Sequence, residues 1–269
     1  NAEALWEAIA PQLPGFTVEV LPSIDSSNTE LMRRAREGLT DPVLLIAEQQ
    51  TQGRGRLGRN WVSGVGDSLM FSLGLPLAPK DWSGLSLAVG VSVAESLQPH
   101  LPAAGGAPKI GIKWPNDLWL EGDRKLAGIL IETASFVGTH QHDFSAPRYV
   151  VIGIGINVRP RPGDGMRTPP ACLQELDAAL DAPTALACIL PNLVAQVQSF
   201  AQHGFAPLMA RFAQRDLLAG REVNLSDGTT GMAEGVAADG GFLVRTTAGV
   251  QAVTSSEISV RPASSPLQN

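Results

Sequence analysis

The chain has 269 residues, of which 44% are hydrophobic and 17% are charged, so it has the composition of a folded protein and not of a disordered segment. Its formal net charge of −6 disfavours a general binder of nucleic acid or of anionic membranes, because both need widespread positive potential. Its two cysteines, Cys172 and Cys188, fit neither a metal-ligand spacing nor a secreted disulfide framework, and no run of about 18 apolar residues predicts a membrane span, so we expect a soluble cytoplasmic protein.

In chain order, the first half of the sequence mixes predicted strands with predicted helices. Short apolar or alternating runs predict the strands, and longer periodic segments predict the helices. The predicted strands are 17–21, 43–50 and 68–77, and the predicted helices are 28–38 and 83–100. The second of these strands leads directly into the segment "GRGRLGRNW" at 53–61.

The second half begins with two strand-like runs around the polar turn "EGDR", which together predict a hairpin. A long loop is predicted at 159–171, and loops of that length are usually functional or mobile. The helix that follows is expected to be interrupted at Pro191. The predicted strands of this half are 110–120, 125–134 and 149–158, and the predicted helices are 185–204 and 206–216.

The pattern of apolar and turn-forming residues changes near residue 217. Beyond it, short alternating runs are separated by "SDG", "ADGG" and "TAG", a pattern typical of a small all-β barrel or meander. We therefore predict an α+β domain over residues 1–217, followed by a small β-barrel domain over residues 218–269.

The segment "GRGRLGRNW" places three arginines among glycines in an acidic chain. Its first six residues match G-x-G-x-x-G, but no helical pattern follows them, so we reject a dinucleotide-binding fold. Two interpretations stay open from these residues alone. One is a solvated basic loop, including a loop that contacts RNA. The other is a ligand-binding loop, because glycine permits close approach of a ligand and arginine pairs with carboxylate or phosphate.

The segment "KWPNDL" at 113–118 favours the ligand-binding interpretation. Lys113 ends a predicted strand and is followed by bulky Trp114 and by Pro115, whose φ is fixed. A lysine held in this way is expected to direct its ammonium group into a site, although a surface lysine beside a packed tryptophan would have the same sequence. Asn157, at the end of a buried strand, is a second candidate for a ligand contact, whereas the four histidines are scattered and form no metal triad.

Taken in order, "IDSSNTEL", "GRGRLGRNW", "KWPNDLWL", "KLAGILIE", "GIGINV" and a terminal "SSEISVRP" resemble the biotin–protein ligases, which are also named biotin–acetyl-CoA-carboxylase ligases or holocarboxylase synthetases. The resemblance runs from about residue 21 to about residue 262. It implies a mixed-sheet catalytic domain related to class II tRNA synthetases and lipoate ligases, followed by an SH3-like barrel. Some members carry an N-terminal DNA-binding domain, and with 24 residues before Asp25 this chain resembles the monofunctional form.

The resemblance implies an ATP-dependent ligase that works in two steps. Biotin and ATP, with Mg²⁺, give biotinyl-5′-AMP and pyrophosphate, and a lysine of a biotin carboxyl carrier domain of acetyl-CoA carboxylase or a related carboxylase then accepts the biotinyl group. The arginine loop would offset the charge of the carboxylate and the phosphates. Neither nucleic acid nor a membrane is expected as a partner. Because glycines and mutually repelling arginines oppose order, we expect residues 53–66 to become ordered when ligand binds.

The same resemblance assigns roles to residues at matching positions. The implied biotin-binding residues are Ser26, Ser27, Asn28, Gln50, Arg54, Gly55, Arg56 and Lys113. The implied ATP-binding residues are Arg56, Arg59, Trp61, Lys113 and Asn157, and the implied catalytic residues are Arg56 and Lys113. No metal ligand is identified. Some relatives cover the adenine with a tryptophan in the loop after "GIN", and the loop in this chain has no aromatic residue.

Three other functions stay open on the sequence. A lipoate ligase would share the fold and the adenylation chemistry, although the double arginine–glycine motif is that of the biotin branch. A non-catalytic biotin or nucleotide sensor would not need both Arg56 and Lys113. RNA binding through the arginine loop conflicts with the net charge of −6 and would require an affinity that falls steeply with salt.

Overall fold

The computed structural model of the chain describes residues 2–58, 61, 64–103, 105–135, 147–163, 166, 168–254 and 260–263. Within these residues the chain forms a seven-stranded sheet with helices on both faces, followed by a five-stranded sheet. The strands of the first sheet are β1 Thr17–Leu21, β2 Val43–Ala47, β3 Ser68–Leu77, β4 Gly111–Lys113, β5 Asp117–Leu120, β6 Arg124–Ser135 and β7 Arg148–Asn157. The helices are α1 Ala2–Ile9, α2 Ser27–Arg36, α3 Leu85–Leu97, α4 Ala182–His203 and α5 Met209–Ala213.

The first sheet is mixed, with the strand order β1-β2-β3-β7-β6-β5-β4. Strand β1 pairs with β2 in parallel, and every other pair in the sheet is antiparallel. The two longest pairings, β3 with β7 and β6 with β7, lie at the centre of the sheet. Strands β3 and β7 are apolar on both faces, which is the pattern expected of strands covered on both sides.

Alternate residues of the central strands face two separate hydrophobic cores. On β7, Val150 and Ile152 belong to the larger core, which α3 and α4 cover, whereas Tyr149 and Val151 belong to the smaller one. Helix α2 covers the smaller core with Leu31 and contacts β3, β6 and β7. The N-terminus of α2 therefore lies over the same face of the sheet as Tyr149 and Val151.

Two local predictions differ from the structure, and one helix was not predicted. The run 110–120 is not one strand, because the chain turns at residues 114–116, where Pro115 has no N–H to donate, and separates β4 from β5. Helix α4 continues through Pro191 without the predicted interruption. Helix α1, which the sequence analysis did not predict, packs against β1 and α4.

Among the described residues, α4 has the length and mean hydropathy of a membrane span, although it contains no unbroken run of 18 apolar residues. An 18-residue window of this helix has a mean hydropathy of 1.3, which is enough to cross a membrane by length and composition alone. Core helices of soluble proteins have the same property. In this fold α4 packs on α3 and β3, and its residues Leu190, Leu193 and Val197 are fully buried in the larger core.

The second sheet is entirely antiparallel, with the strand order β11-β10-β9-β8-β12. Its strands are β8 Glu222–Leu225, β9 Thr230–Val236, β10 Phe242–Thr246, β11 Gly249–Val253 and β12 Val260–Pro262. The fold is therefore α+β with a mixed sheet, followed by a separate antiparallel β-domain consistent with an SH3-like barrel, and the predicted fold class is confirmed.

The junction between the two sheets is pinned by hydrogen bonds and by an ion pair. Ile112 of β4 donates its backbone N–H to Arg215 O at 2.6 Å, and Leu217 donates to Ile112 O at 3.1 Å. The guanidinium of Arg221 binds both carboxylate oxygens of Asp123 at 2.7 Å and holds the pKa of that carboxyl below its usual value. The second sheet is thus attached directly to the strand that ends at Lys113.

Candidate active site

One cavity lies on the face of the first sheet that carries α2. The residues that the sequence analysis assigned to ligand binding line this cavity, with two exceptions. Asn157 does not line it, and Arg59 lies outside the described residues. The cavity is lined by Ser26, Ser27, Asn28, Gln50, Arg54, Gly55, Arg56, Leu57, Trp61, Phe71, Lys113, Pro115, Asn116, Asp117, Lys125, Gly128, Ile129, Leu130, Gly153, Ile154 and Gly155.

The floor of the cavity is a network of neutral polar groups at the start of α2. Ser26 caps the helix, because its side chain accepts a hydrogen bond from Thr29 N at 3.4 Å. The backbone N–H of Ser27 donates to Gln50 Oε1 at 2.8 Å. The hydroxyl of Ser72 lies 2.6 Å from Asn28 Oδ1, to which it donates, and 2.7 Å from Ser27 Oγ. These side chains are therefore fixed in place before any ligand arrives.

Two strand glycines make room for the walls of the cavity. A Cβ built on Gly153 would lie 2.0 Å from Asn28 Oδ1, and a Cβ on Gly155 would lie 2.7 Å from Cε2 of the Trp61 ring. Both distances are shorter than real Cβ contacts, so each glycine is required for its neighbour to sit where it does. The two glycines of "GIGIN" thus shape the cavity because they have no side chains.

The arginine loop closes the cavity from one side. Its base is held by a hydrogen bond from Trp61 N to Gly53 O at 2.8 Å. Arg54 forms an ion pair with Glu132 at 3.2 Å, and Arg56 donates to Asn116 Oδ1 at 3.4 Å. Leu57 has a φ of 56°, in the left-handed region, and its side chain is 55% exposed. The remainder of the motif includes residues 59 and 60, which lie outside the described residues.

Lys113 also lines the cavity and is buried, with 7% of its surface exposed. Its Nζ lies 5.4 Å from the centre of the Trp119 ring, at a distance typical of a cation–π contact. The next residue, Trp114, is fully buried, with its ring 5.2 Å from that of Phe242 and its Nε1 donating to Gly240 O at 3.1 Å. The second sheet therefore fixes the backbone that directs Lys113 into the cavity.

Several lining residues were not singled out by sequence reasoning, although they belong to motifs that it quoted. Asn116 and Asp117 come from "KWPND", and Lys125 comes from "KLAGILIE". Lys125 Nζ lies 2.8 Å from Asp117 Oδ1 and 5.8 Å from the centre of the Trp61 ring. Further polar residues of these motifs thus line the same cavity as Lys113, the one residue that was selected from "KWPND".

Asn157 has a different environment from the predicted one. Its side chain is buried, and its Nδ2 donates to Lys125 O at 3.0 Å and to Ala171 O at 2.9 Å, so it ties β7 to the end of the long loop. No described residue makes a hydrogen bond to its Oδ1. Asn157 lies behind Lys125 in this structure and does not line the cavity.

The side-chain oxygens around the cavity suit a metal ion only if a phosphate group of a bound ligand also coordinates it. Within the described residues, no group of three or more His, Cys, Asp and Glu side chains is placed to hold a metal. Asp117 is the carboxylate of the lining, and its Oδ1 is paired with Lys125 Nζ at 2.8 Å. Mg²⁺ commonly binds through one or two such oxygens together with substrate phosphates and water.

A cavity with a neutral polar floor, lined also by two arginines, two lysines and one aspartate, suits an anionic small molecule. The chain belongs to the biotin/lipoate A/B protein ligase family, whose model matches residues 20–157. The model of the biotin protein ligase C-terminal domain matches residues 219–261. The family resemblance predicted from the sequence motifs is therefore confirmed.

Individual relatives agree with this assignment. The chain is 37% identical to the bifunctional ligase/repressor BirA of Escherichia coli, over 95% of this chain and 77% of that protein. It is 31% identical to the biotin–[acetyl-CoA-carboxylase] ligase of Paracoccus denitrificans, over 89% of this chain and 98% of that protein. The structure of a biotin protein ligase from Aquifex aeolicus in complex with biotin and ATP is 28% identical, with a TM-score of 0.73 over 91% of this chain and 99% of that one.

Proposed function

We propose that the protein activates biotin with ATP and transfers it to a lysine of a biotin carboxyl carrier domain of acetyl-CoA carboxylase or a related carboxylase. The single observation that carries the proposal is the convergence of Arg56 and Lys113, from segments distant in sequence, on one cavity with a neutral polar floor. The name of the Paracoccus relative and the biotin and ATP bound to the Aquifex enzyme support the choice of substrates.

The floor and the walls suit the two ends of biotin. The ureido ring is neutral and needs both donors and acceptors, which Ser27, Asn28 and Gln50 offer. The carboxylate and the α-phosphate of ATP are anions, and bringing them together requires positive charge in a site that excludes water. We assign that charge to Arg56 and Lys113, and we assign the nucleotide end of the cavity to Trp61.

The first step needs no general base. A carboxylic acid such as biotin is ionised at pH 7, so one of its oxygens attacks the α-phosphorus of ATP while pyrophosphate leaves. Mg²⁺ bound with ATP would neutralise part of the phosphate charge. In the second step, the unprotonated amine of the carrier lysine attacks the acyl carbon of biotinyl-5′-AMP and AMP leaves. Throughout, Arg56 and Lys113 hold the reacting carboxyl and phosphate groups in contact.

We also propose that the chain consists of two domains. We place the boundary between the catalytic domain and the SH3-like domain at residues 217 and 218, next to the junction where the linker pairs with Ile112. We place the reaction in the cytoplasm, where ATP and newly made carrier domains are present.

Transfer to a carrier domain tests the proposal, with lipoic acid as a competing substrate. We expect a single biotinyl group on the acceptor lysine after incubation with biotin, ATP and Mg²⁺, and no product on a carrier whose acceptor lysine is replaced by arginine. Lipoic acid in equal amount should compete poorly, because its apolar ring leaves the polar floor of the cavity unsatisfied. Intact-mass measurement of the carrier distinguishes the products. Lipoylation in preference to biotinylation would contradict the proposal.

A further inference from the structure

Glu132 faces the arginine loop from the middle of β6. Its carboxylate accepts a hydrogen bond from Asn28 Nδ2 at 3.0 Å and forms an ion pair with Arg54, whose NH2 lies 3.2 Å away. Arg54 also donates to Thr29 Oγ1 at 3.3 Å. Glu132 thus joins three segments that are distant in sequence: the start of α2, the centre of β6 and the arginine loop.

The position of the Glu132 carboxylate is set by groups that have little freedom. Asn28 is 4% exposed, its Nδ2 also donates to Leu130 O at 3.2 Å, and its Oδ1 accepts from Ser72 at 2.6 Å. Gly153 packs so closely against Asn28 that no side chain fits between them. The carboxylate is therefore a fixed negative charge, whereas Arg54, whose side chain is 48% exposed, belongs to a glycine-rich loop.

This fixed charge changes the balance of forces in the arginine loop. Without ligand, the arginines repel one another and the glycines favour an open, disordered loop. An ion pair between Arg54 and Glu132 removes part of that repulsion before biotin arrives. The pair is partly exposed, so its contribution to stability is small and is screened by salt. A small contribution changes the populations of two side-chain conformations of Arg54 when these are close in free energy.

We infer that Glu132 is a positioning residue, which holds the Arg54 side chain at the cavity in the free protein and thereby raises the affinity for biotin. The inference rests on the proposed function for the identity of the ligand. Glu132 acts through Arg54 and Asn28 and is not among the residues that line the cavity. Its effect is on the fraction of molecules whose loop is ready to bind, and apparent affinity scales with that fraction.

Two substitutions separate this role from a general effect on folding. Glu132→Gln keeps an oxygen acceptor for Asn28 and removes only the charge, whereas Arg54→Gln removes the same ion pair from the exposed loop side. We expect Glu132→Gln to raise the dissociation constant for biotin by roughly three- to tenfold, measured by calorimetry without ATP, and Arg54→Gln to raise it at least as much, because Arg54 also lines the cavity. The double variant should bind no more weakly than Arg54→Gln, because Glu132 acts through Arg54. The matched control is Glu234→Gln, which breaks a similarly exposed ion pair with Arg245 in the second sheet.

Limited trypsin digestion measures how accessible the arginine loop is to the protease. Cleavage after Arg56 in ligand-free protein should be faster in Glu132→Gln than in the parent, and biotin with ATP should slow it in both. Biotin dissociation constants that are unchanged in both single variants would overturn the inference. Weaker biotin binding without faster cleavage would also overturn it, because Glu132 would then act on the ligand and not on the loop. Failure of the parent protein to bind biotin would refute the proposed function, independently of the variants.

Discussion

Replacement of Lys113 by alanine is expected to slow the formation of biotinyl-5′-AMP by about 10²–10³, because a preorganised charge contact in the transition state is lost. The lysine is buried, its ammonium lies beside the Trp119 ring, and it lines the same cavity as Arg56. Single-turnover adenylation measures the step directly. Stability should change little, since removing a buried charge also removes the cost of its desolvation.

Controls for this variant come from the same chain. Lys80→Ala removes an exposed lysine away from the cavity and should leave adenylation unchanged. Lys113→Arg keeps the charge but replaces a compact ammonium by a planar fork, so it should not restore the parental rate. A folded Lys113→Ala protein that adenylates biotin at the parental rate would show that this lysine does not contact the reacting groups.

Gly153→Ala is expected to damage both stability and biotin binding. The added Cβ would lie 2.0 Å from Asn28 Oδ1, and Asn28 cannot retreat because it is held by Ser72 and Glu132. Overpacking of this kind costs about 1–3 kcal/mol of unfolding free energy. Displacement of Asn28 breaks buried hydrogen bonds on the cavity floor, so the dissociation constant for biotin should rise by about ten- to a hundredfold.

Gly90→Ala provides the matched control for the glycine prediction. Gly90 lies inside α3, and a Cβ there would meet Ile112 at 3.6 Å and Ile129 at 3.7 Å, which are ordinary contacts. The substitution should therefore stabilise the protein by about 0.5–1 kcal/mol, because alanine favours the helix. Urea unfolding and biotin calorimetry compare the two variants. Parental biotin binding in Gly153→Ala would contradict the tight packing of Asn28.

The sequence was most informative where function concentrates unusual residues in short motifs. The arginine loop and "KWPND" identified two parts of the cavity lining, because glycine with arginine and a lysine before a fixed proline are uncommon combinations with a clear physical use. The change near residue 217 was also visible, since short alternating runs with turn residues differ from the mixed pattern before them.

What the sequence could not supply was the set of contacts between distant segments. Glu132 and Arg54 are 78 positions apart, and Trp114 and the backbone oxygen of Gly240 are 126 positions apart. Local periodicity carries no information on such pairs, because they are formed by sheet register and by the docking of the second sheet. The role of Gly153 was equally hidden, because a strand glycine gives no indication of which side chain will occupy the space above it.

Biotin-dependent exchange of labelled pyrophosphate into ATP tests the central claim most directly, because it reports adenylate formation without any carrier protein. The proposed function predicts exchange that requires biotin and Mg²⁺, saturates with biotin, and is reduced by about 10²–10³ in Lys113→Ala. Exchange at the same rate with and without biotin, across a range of pH and Mg²⁺ concentration, would contradict it.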